Sequence, residues 1–193
     1  INDTSNQLVA NAKSVMYENT LLFRCEEAEI VARINQKWFK AFAASETMYM
    51  MVFEAVKDYS DYVKQIDDKE RENSIHKYTA LKYIHGRGLQ QFLEIITLMK
   101  NGFADGAYSR WRSLYELNII ASFISKYGEE VAEAYISSHN TEDRYEWARA
   151  CGEFNPQKKY ISFDDIRKKS NFPSDLWQQP YRVANEVTHA SSQ

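Results

Sequence analysis

Three ionisable residues near the end of the chain share one face of a predicted helix. Arg182 and His189 are seven residues apart and lie within about 20° of each other on a helix, with Glu186 between them. A histidine with a pKa of about 6.5 can act as a general acid or base, and a guanidinium can hold a phosphate. The spacing predicts a catalytic site of Arg182, Glu186 and His189. The alternative is an exposed helix face with an ordinary Arg182–Glu186 ion pair.

A second charged pair, Arg112 and Glu116, lies one turn apart in residues 101–128, the most apolar helix-patterned run in the chain. We predict that both are buried. They either clamp a ligand phosphate or brace the face of the last helix, or they form a structural ion pair that fixes helix register. Arg87 joins them as a candidate for substrate binding or ion pairing. Gly86 and Gly88 beside it predict close helix packing rather than a phosphate loop, since no strand precedes them.

Neither metal nor cofactor is expected at these residues. Glu186 and His189 have the spacing of a carboxylate–histidine motif in helical di-metal sites, but such sites need a second motif of this kind and two further glutamates. His76, His85 and His139 do not supply that second motif.

The elements that must position these residues are all helical. Gly and Pro, 6 and 3 in number, occur only after position 85, and strand patterns are nearly absent. We predict one all-α bundle of about six helices spanning residues 1–193. The expected helices are 1–24, 26–66 with a break near Ala44–Ser45, 74–100, a central helix within 101–128 capped by Asp105 and ending at Gly128, 129–154, a short helix led by Ser162, and a last helix with Pro180 in its first turn.

Composition narrows the classes of partner. The 193 residues are 44% hydrophobic and 26% charged with a net charge of −3, so general attraction to nucleic acid or anionic membrane is not expected. No apolar run is long enough for a membrane span, and the first residues lack a signal-peptide pattern. Cys25 and Cys151 are read as small apolar residues of a reducing compartment, so we expect a cytoplasmic protein.

One resemblance rests on motifs between Lys82 and Ser192. The chain resembles a bacterial, all-helical domain family of unknown function whose signature is an Arg-Ser-Leu-x-Glu helix followed by a C-terminal Tyr-Arg…His-Ala-Ser segment. The residues that carry it are His85-Gly86-Arg87, Glu94, Asn101-Gly102, Ala107, Arg110 to Glu116, Tyr181-Arg182 and His189-Ala190-Ser191. This resemblance implies a helical fold and no particular activity.

A second resemblance concerns the last helix alone. Arg182, six intervening residues and His189 resemble the Arg-x4–6-His motif of HEPN domains, which occur in RNA-cleaving toxins and abortive-infection proteins. Val183 stands where the commonest form of that motif has a polar residue. The resemblance implies a metal-independent hydrolase of RNA or nucleotides in bacterial defence, acting as a homodimer whose two motifs face one cleft. The alternative function is a non-enzymatic helical module that binds a ligand or a protein partner.

Overall fold

The computed structural model describes residues 2–138 and 143–188. Over these residues the chain forms eight α-helices and two 3₁₀ turns without a strand, which confirms the all-α prediction. The helix count exceeds six because the short helix α3 was not predicted and the short helix led by Ser162 is counted separately. The elements are α1 (Asn2–Lys37), α2 (Phe39–Gln65), α3 (Asp68–Glu72), α4 (Ile75–Lys100), α5 (Ala104–Tyr127), α6 (Glu129–Ser137), a 3₁₀ turn (Glu146–Cys151), α7 (Phe163–Lys169), a 3₁₀ turn (Ser174–Trp177) and α8 (Gln178–Thr188).

Helix α5 is the centre of the fold, as predicted. It packs against α4, α6, α7 and α8, and its Ile119, Phe123 and Ile124 are fully buried. Helix α4 precedes it across the Asn101–Gly102 turn, where Gly102 has a φ of +84° that other residues rarely adopt. The predicted cap was wrong, because α5 begins at Ala104 and Asp105 lies inside its first turn. A carboxylate there still faces the positive end of the helix.

The boundary between the first two helices lies later in the chain than predicted, so the first helix is longer and the second shorter. Helix α1 continues through residue 25 to Lys37, and α2 continues through Ala44–Ser45, so the chain turns at Trp38 instead. No Gly or Pro interrupts this region, and the hydroxyl of Ser45 donates to the Ala41 carbonyl oxygen (2.9 Å), which satisfies the serine inside the helix. Cys25, expected in an apolar setting, is exposed on α1.

The predicted helix 129–154 was also wrong. Helix α6 ends at Ser137, and a 3₁₀ turn covers Glu146–Cys151. At the end of α6 the Ser138 hydroxyl donates to the Tyr135 carbonyl oxygen (2.8 Å), which satisfies one of the carbonyl groups that a helix end leaves without an intrahelical donor. The short helix led by Ser162 is confirmed as α7, with a capping box between Ser162 and Asp165.

Two further features complete the fold. Pro180 occupies the first turn of α8 as predicted, where a missing N–H costs no hydrogen bond. Among the helices of residues 2–138 and 143–188, none is long and apolar enough to cross a membrane.

Helix α4 is capped from a distance by Glu129 of α6. Its own Ser74 makes no side-chain capping bond. The Glu129 carboxylate instead accepts from the backbone N–H groups of His76 and Lys77 (both 2.9 Å), and it lies 2.7 Å from Nδ1 of His76. Burial raises the pKa of Glu129. The hydrogen bonds from these backbone N–H groups and the nearby His76 ring lower it by more, so its net pKa is below the ordinary value.

We therefore expect the stability contribution of Glu129 to depend on pH. A carboxylate with a lowered pKa stabilises the fold above its ordinary pKa, and that contribution is lost as pH falls through the lowered value. Glu129→Gln should cost about 0.5–2 kcal/mol at neutral pH, as a lost helix cap does, and progressively less in acid. Melting temperatures from pH 7 to pH 3 test this, with the exposed neighbour Glu130→Gln as a control expected to follow the unmodified protein throughout.

Candidate functional site

The buried carboxylate of Glu116 joins three separate parts of the fold. Its side chain is 9% exposed, and Oε1 lies 3.1 Å from Nε of Arg112 on the same helix. Arg144, which follows α6, places Nη2 3.2 Å from Oε2, and the Tyr181 hydroxyl of α8 donates to Oε1 (2.9 Å). The Arg112–Glu116 ion pair is therefore present, with Glu116 buried as predicted but Arg112 only partly buried, at 23% exposed. Arg144 and Tyr181 are partners that the sequence analysis did not identify.

Charged groups and aromatic rings pack together around Glu116. Burial and the carboxylate raise the pKa of Tyr181 to about 12, against the opposing effect of Arg112, so its hydroxyl remains a donor at neutral pH. The Arg112 guanidinium carbon lies 5.9 Å from the Tyr181 ring centroid. Tyr115, next to Glu116, packs against the rings of Tyr181 at 4.9 Å, Phe172 at 5.8 Å and Phe163 at 6.3 Å, measured between centroids.

These contacts hold α8 antiparallel to the first half of α5. Tyr181, near the start of α8, bonds to Glu116, and the hydroxyls of Thr188 and Ser109 lie 3.2 Å apart at the other end. Sequence spacing could not reveal this pairing, because more than 60 residues separate its members. Glu116 therefore contacts the last helix, as the predicted brace requires. That this contact positions a catalytic face of α8 stays a prediction.

The predicted catalytic residues of α8 are only partly described. Arg182 is 73% exposed, and its Nε lies 3.7 Å from Oε1 of Glu186, whose side chain is 41% exposed. This distance fits a weak surface ion pair rather than a hydrogen bond. His189 lies outside the described residues. Arg87 is exposed on α4, where its positive charge opposes the burial that raises the pKa of Tyr135 on α6.

A groove of about 500 Å³ lies on the other side of the central helix, between α2, α4 and α5. Its walls are mostly aliphatic and aromatic, with Lys82 as the one side chain that carries a fixed charge. The lining residues are Val52, Ala55, Val56, Tyr59, Leu81, Lys82, Ile84, His85, Gly88, Leu89, Phe92, Leu114, Leu117, Asn118 and Ala121. Its volume is in the range of pockets that hold small organic molecules.

Two polar side chains distinguish this groove from an ordinary packing defect. The Tyr59 hydroxyl is shielded from solvent and has no hydrogen-bond partner among the described residues. Burial, with Tyr78 and Tyr62 nearby, raises the pKa of Tyr59 to about 12, so the group stays neutral. Nε2 of His85 donates to the Val52 carbonyl oxygen (3.0 Å) and ties α4 to α2 across the groove. A buried hydroxyl without a partner costs stability and suggests a missing acceptor.

The glycines beside Arg87 do not enforce close packing. Helix α4 continues through both of them without a break. A Cβ added at Gly86 would meet nothing within 4 Å, and one at Gly88 would make ordinary contact with Leu114 at 3.5 Å. The predicted close approach was therefore wrong. Gly88 instead leaves space in the wall of the groove.

The groove and the Glu116 cluster lie on opposite faces of α5. Leu114, Leu117 and Ala121 line the groove, whereas Arg112 and Glu116 face α8. At about 100° per residue, the two sets are centred roughly 160° apart. A substitution on one face therefore leaves the other face in place. The apolar spacing in the sequence predicted that α5 is buried on several sides. It did not predict the groove that leaves one side partly open.

Within residues 2–138 and 143–188, no group of three His, Cys, Asp or Glu side chains could hold a metal ion. Residues 78–171 match a family of unknown function, DUF5677, which confirms the resemblance to a helical family of unknown function over that segment. The matched segment includes Arg87, Arg112, Glu116 and Arg144 and ends before α8. No curated protein and no solved structure matches the chain, so the HEPN resemblance gains no support from relatives.

Proposed function

We propose that the protein is a helical binding module whose α2–α4–α5 groove takes a small apolar molecule with one hydrogen-bonding end. The observation that carries this proposal is a mostly apolar groove of about 500 Å³ whose wall includes Tyr59, with a solvent-shielded and unpartnered hydroxyl. An apolar pocket with few, well-placed polar groups is the usual form of a small-molecule site. A rotation of the Tyr59 side chain that turns its shielded hydroxyl toward the groove would let the ligand's hydroxyl, carbonyl or carboxylate supply the acceptor that Tyr59 lacks.

Other features of the groove agree with this class of ligand. Nearly all of its wall is apolar, so burial of a hydrocarbon body provides most of the binding energy. Lys82, an exposed lining residue, would meet a ligand carboxylate at the edge, whereas an uncharged end would meet Tyr59 alone. Both chemistries share the hydrocarbon chain and differ only in the charge of the polar end.

Fluorescence of the neutral probe phenylnaphthylamine tests the groove directly. We expect saturable binding by the unmodified protein and displacement by dodecanol or dodecanoate. Ala55→Trp puts an indole into the groove and should weaken probe binding at least roughly tenfold, because it removes most of the space. Ala44→Trp is the matched control, an exposed alanine of the same helix outside the groove. Equal binding by both variants, or none by the unmodified protein, would refute the proposal.

Tyr59→Phe separates ligand binding from folding. Removing an unpartnered buried hydroxyl should leave the melting temperature unchanged or raise it, whereas a typical buried tyrosine loses about 1 kcal/mol with its hydrogen bond. The same change should weaken dodecanol binding by roughly two- to tenfold and leave the probe unaffected. If Tyr59→Phe destabilises the free protein, the hydroxyl already has a partner and is not held for a ligand.

A second candidate function is the HEPN-type, metal-independent hydrolase of RNA or nucleotides, in bacterial defence. The observation that favours it is the exposure of Arg182 on a helix anchored through Tyr181 to a buried carboxylate, since a phosphate could approach that guanidinium. Its test is incubation of the purified protein with labelled total RNA or tRNA in a chelator. A homodimer and a cytoplasmic location belong to this proposal, and an exposed reduced Cys25 agrees with the latter.

A further inference from the structure

Helix α1 carries an apolar stripe that the rest of the chain does not cover. Seven large side chains, each at least 44% exposed, recur with seven-residue spacing in two adjacent rows: Leu8, Val15 and Leu22, and Val9, Met16, Phe23 and Ile30. A seven-residue apolar repeat is the pattern of a helix that packs along another helix. This repeat spans about 33 Å of α1.

The bundle contacts only the C-terminal end of this helix. Residues 3–30 are all exposed, and the described contacts lie near the end of α1, where the Asn35 side chain donates to the Lys100 carbonyl oxygen (3.0 Å). The seven side chains expose on the order of 500 Å² per chain, which approaches the roughly 800 Å² that each partner contributes to a specific interface. Long helices owe most of their stability to such packing.

We infer that α1 pairs antiparallel with α1 of a second copy of this chain. The longer row is symmetric about residues 19 and 20, so an antiparallel pair brings Val9 level with the partner's Ile30, and Met16 level with the partner's Phe23. Asn19 then lies beside the symmetry axis, where the two amides can hydrogen-bond each other. One register thus matches all four residues of the longer row.

Charge selects the same arrangement. Glu26 lies within the stripe, so a parallel pair would place the two Glu26 carboxylates against each other in the seam, where like charges repel. In the antiparallel register Glu26 lies level with the partner's Lys13 instead, a residue of opposite charge. Lys13 and Glu27, fourteen residues apart on one flank of the helix, come within one residue of the same level across the pair and form two ion pairs by symmetry.

Neighbouring leucines provide a matched test. Leu22 is in the stripe and Leu21 is on the opposite side of α1, and their exposures are 59% and 62%. Analytical ultracentrifugation should show a dimer whose dissociation constant rises at least roughly tenfold in Leu22→Glu and stays unchanged in Leu21→Glu. Both side chains are exposed in the single chain, so the near-ultraviolet circular dichroism of the aromatic rings buried in the bundle should be unaltered. A monomer at all concentrations, or equal effects of the two changes, overturns the inference.

Charge reversal tests the orientation. Lys13→Glu should weaken the dimer, and Lys13→Glu combined with Glu27→Lys should restore it, because only the antiparallel register pairs these positions. Failure of the double variant to recover overturns the antiparallel assignment. A dimer that persists in Leu22→Glu would be held by another surface, such as the last helices that the HEPN resemblance implies, and would also overturn the inference.

Discussion

Glu116→Ala is expected to lower the free energy of unfolding by about 3–5 kcal/mol, the cost of removing one member of a buried charged network. The change removes the carboxylate that Arg112, Arg144 and Tyr181 share. Arg112 is 23% exposed, so its guanidinium would lose its counter-charge in a largely apolar setting. Urea unfolding at neutral pH measures the change directly.

Alanine substitutions of the two arginines that contact Glu116 should lower the free energy of unfolding by different amounts. Arg112→Ala leaves Glu116 with Arg144 and Tyr181, so it should cost less than Glu116→Ala, and Arg144→Ala should cost least because that side chain is 68% exposed. The Arg112→Ala, Glu116→Ala double variant should lose less stability than the sum of the single losses, since the second change removes the charge that the first leaves unpaired.

A surface pair provides the control for this cycle. Arg110 and Glu94 form a 2.8 Å ion pair between α5 and α4 with exposures of 52% and 34%, so Glu94→Ala should cost at most about 1 kcal/mol. Additive losses at Arg112 and Glu116, or a Glu116→Ala cost as small as that of Glu94→Ala, would show that the buried network does not form.

The sequence was sufficient for the central helix because its signals are local. Apolar residues repeat through α5 at three- and four-residue spacing, and glycines mark both of its ends. Gly128 does leave the helix at positive φ (+85°), although its ψ of −146° is not that of the left-handed helix expected there. The Ser162 cap could be predicted for the same reason, since all of its hydrogen bonds lie within four residues.

The contacts that distinguish the candidate sites are not local, and the sequence did not reveal them. Tyr181 reaches Glu116, and Glu129 reaches the start of α4, through pairings that only the packing of the helices creates. The groove likewise depends on where α2 lies against α4 and α5. Apolar spacing shows that a face is covered but does not show how completely, so neither the groove nor the uncovered stripe of α1 was predicted.

The position of the two sites on opposite faces of α5 makes the functions separable by experiment. Ala55→Trp changes the groove and leaves α8 untouched, whereas substitutions at Arg182 leave the groove untouched. If both functions are present, Ala55→Trp should lose probe binding and keep RNA cleavage, and Arg182→Lys should do the reverse. Probe binding without RNA cleavage in the unmodified protein would support the binding module alone, and cleavage without probe binding would support the enzyme alone.

The largest effect on activity is expected at the last helix, if the second candidate function is correct. His189→Ala should reduce metal-free RNA cleavage by roughly 10²–10⁴-fold, the usual contribution of a general acid or base. Arg182→Lys should also reduce it strongly, because an ammonium lacks the planar fork that binds a phosphate through two N–H groups. Arg182 is 73% exposed, so its substitution should leave the melting temperature nearly unchanged.

Arg110→Lys is the matched control, since Arg110 is also an exposed arginine paired with a glutamate. Cleavage products resolved by gel electrophoresis in the presence of chelator give the rates. Equal losses in Arg182→Lys and Arg110→Lys would indicate nonspecific attraction of RNA by positive charge. Absence of cleavage by the unmodified protein would exclude the hydrolase on these substrates. If His189→Ala also lowered the melting temperature, the C-terminal motif would be a structural part of the bundle, and the groove would remain as the site of function.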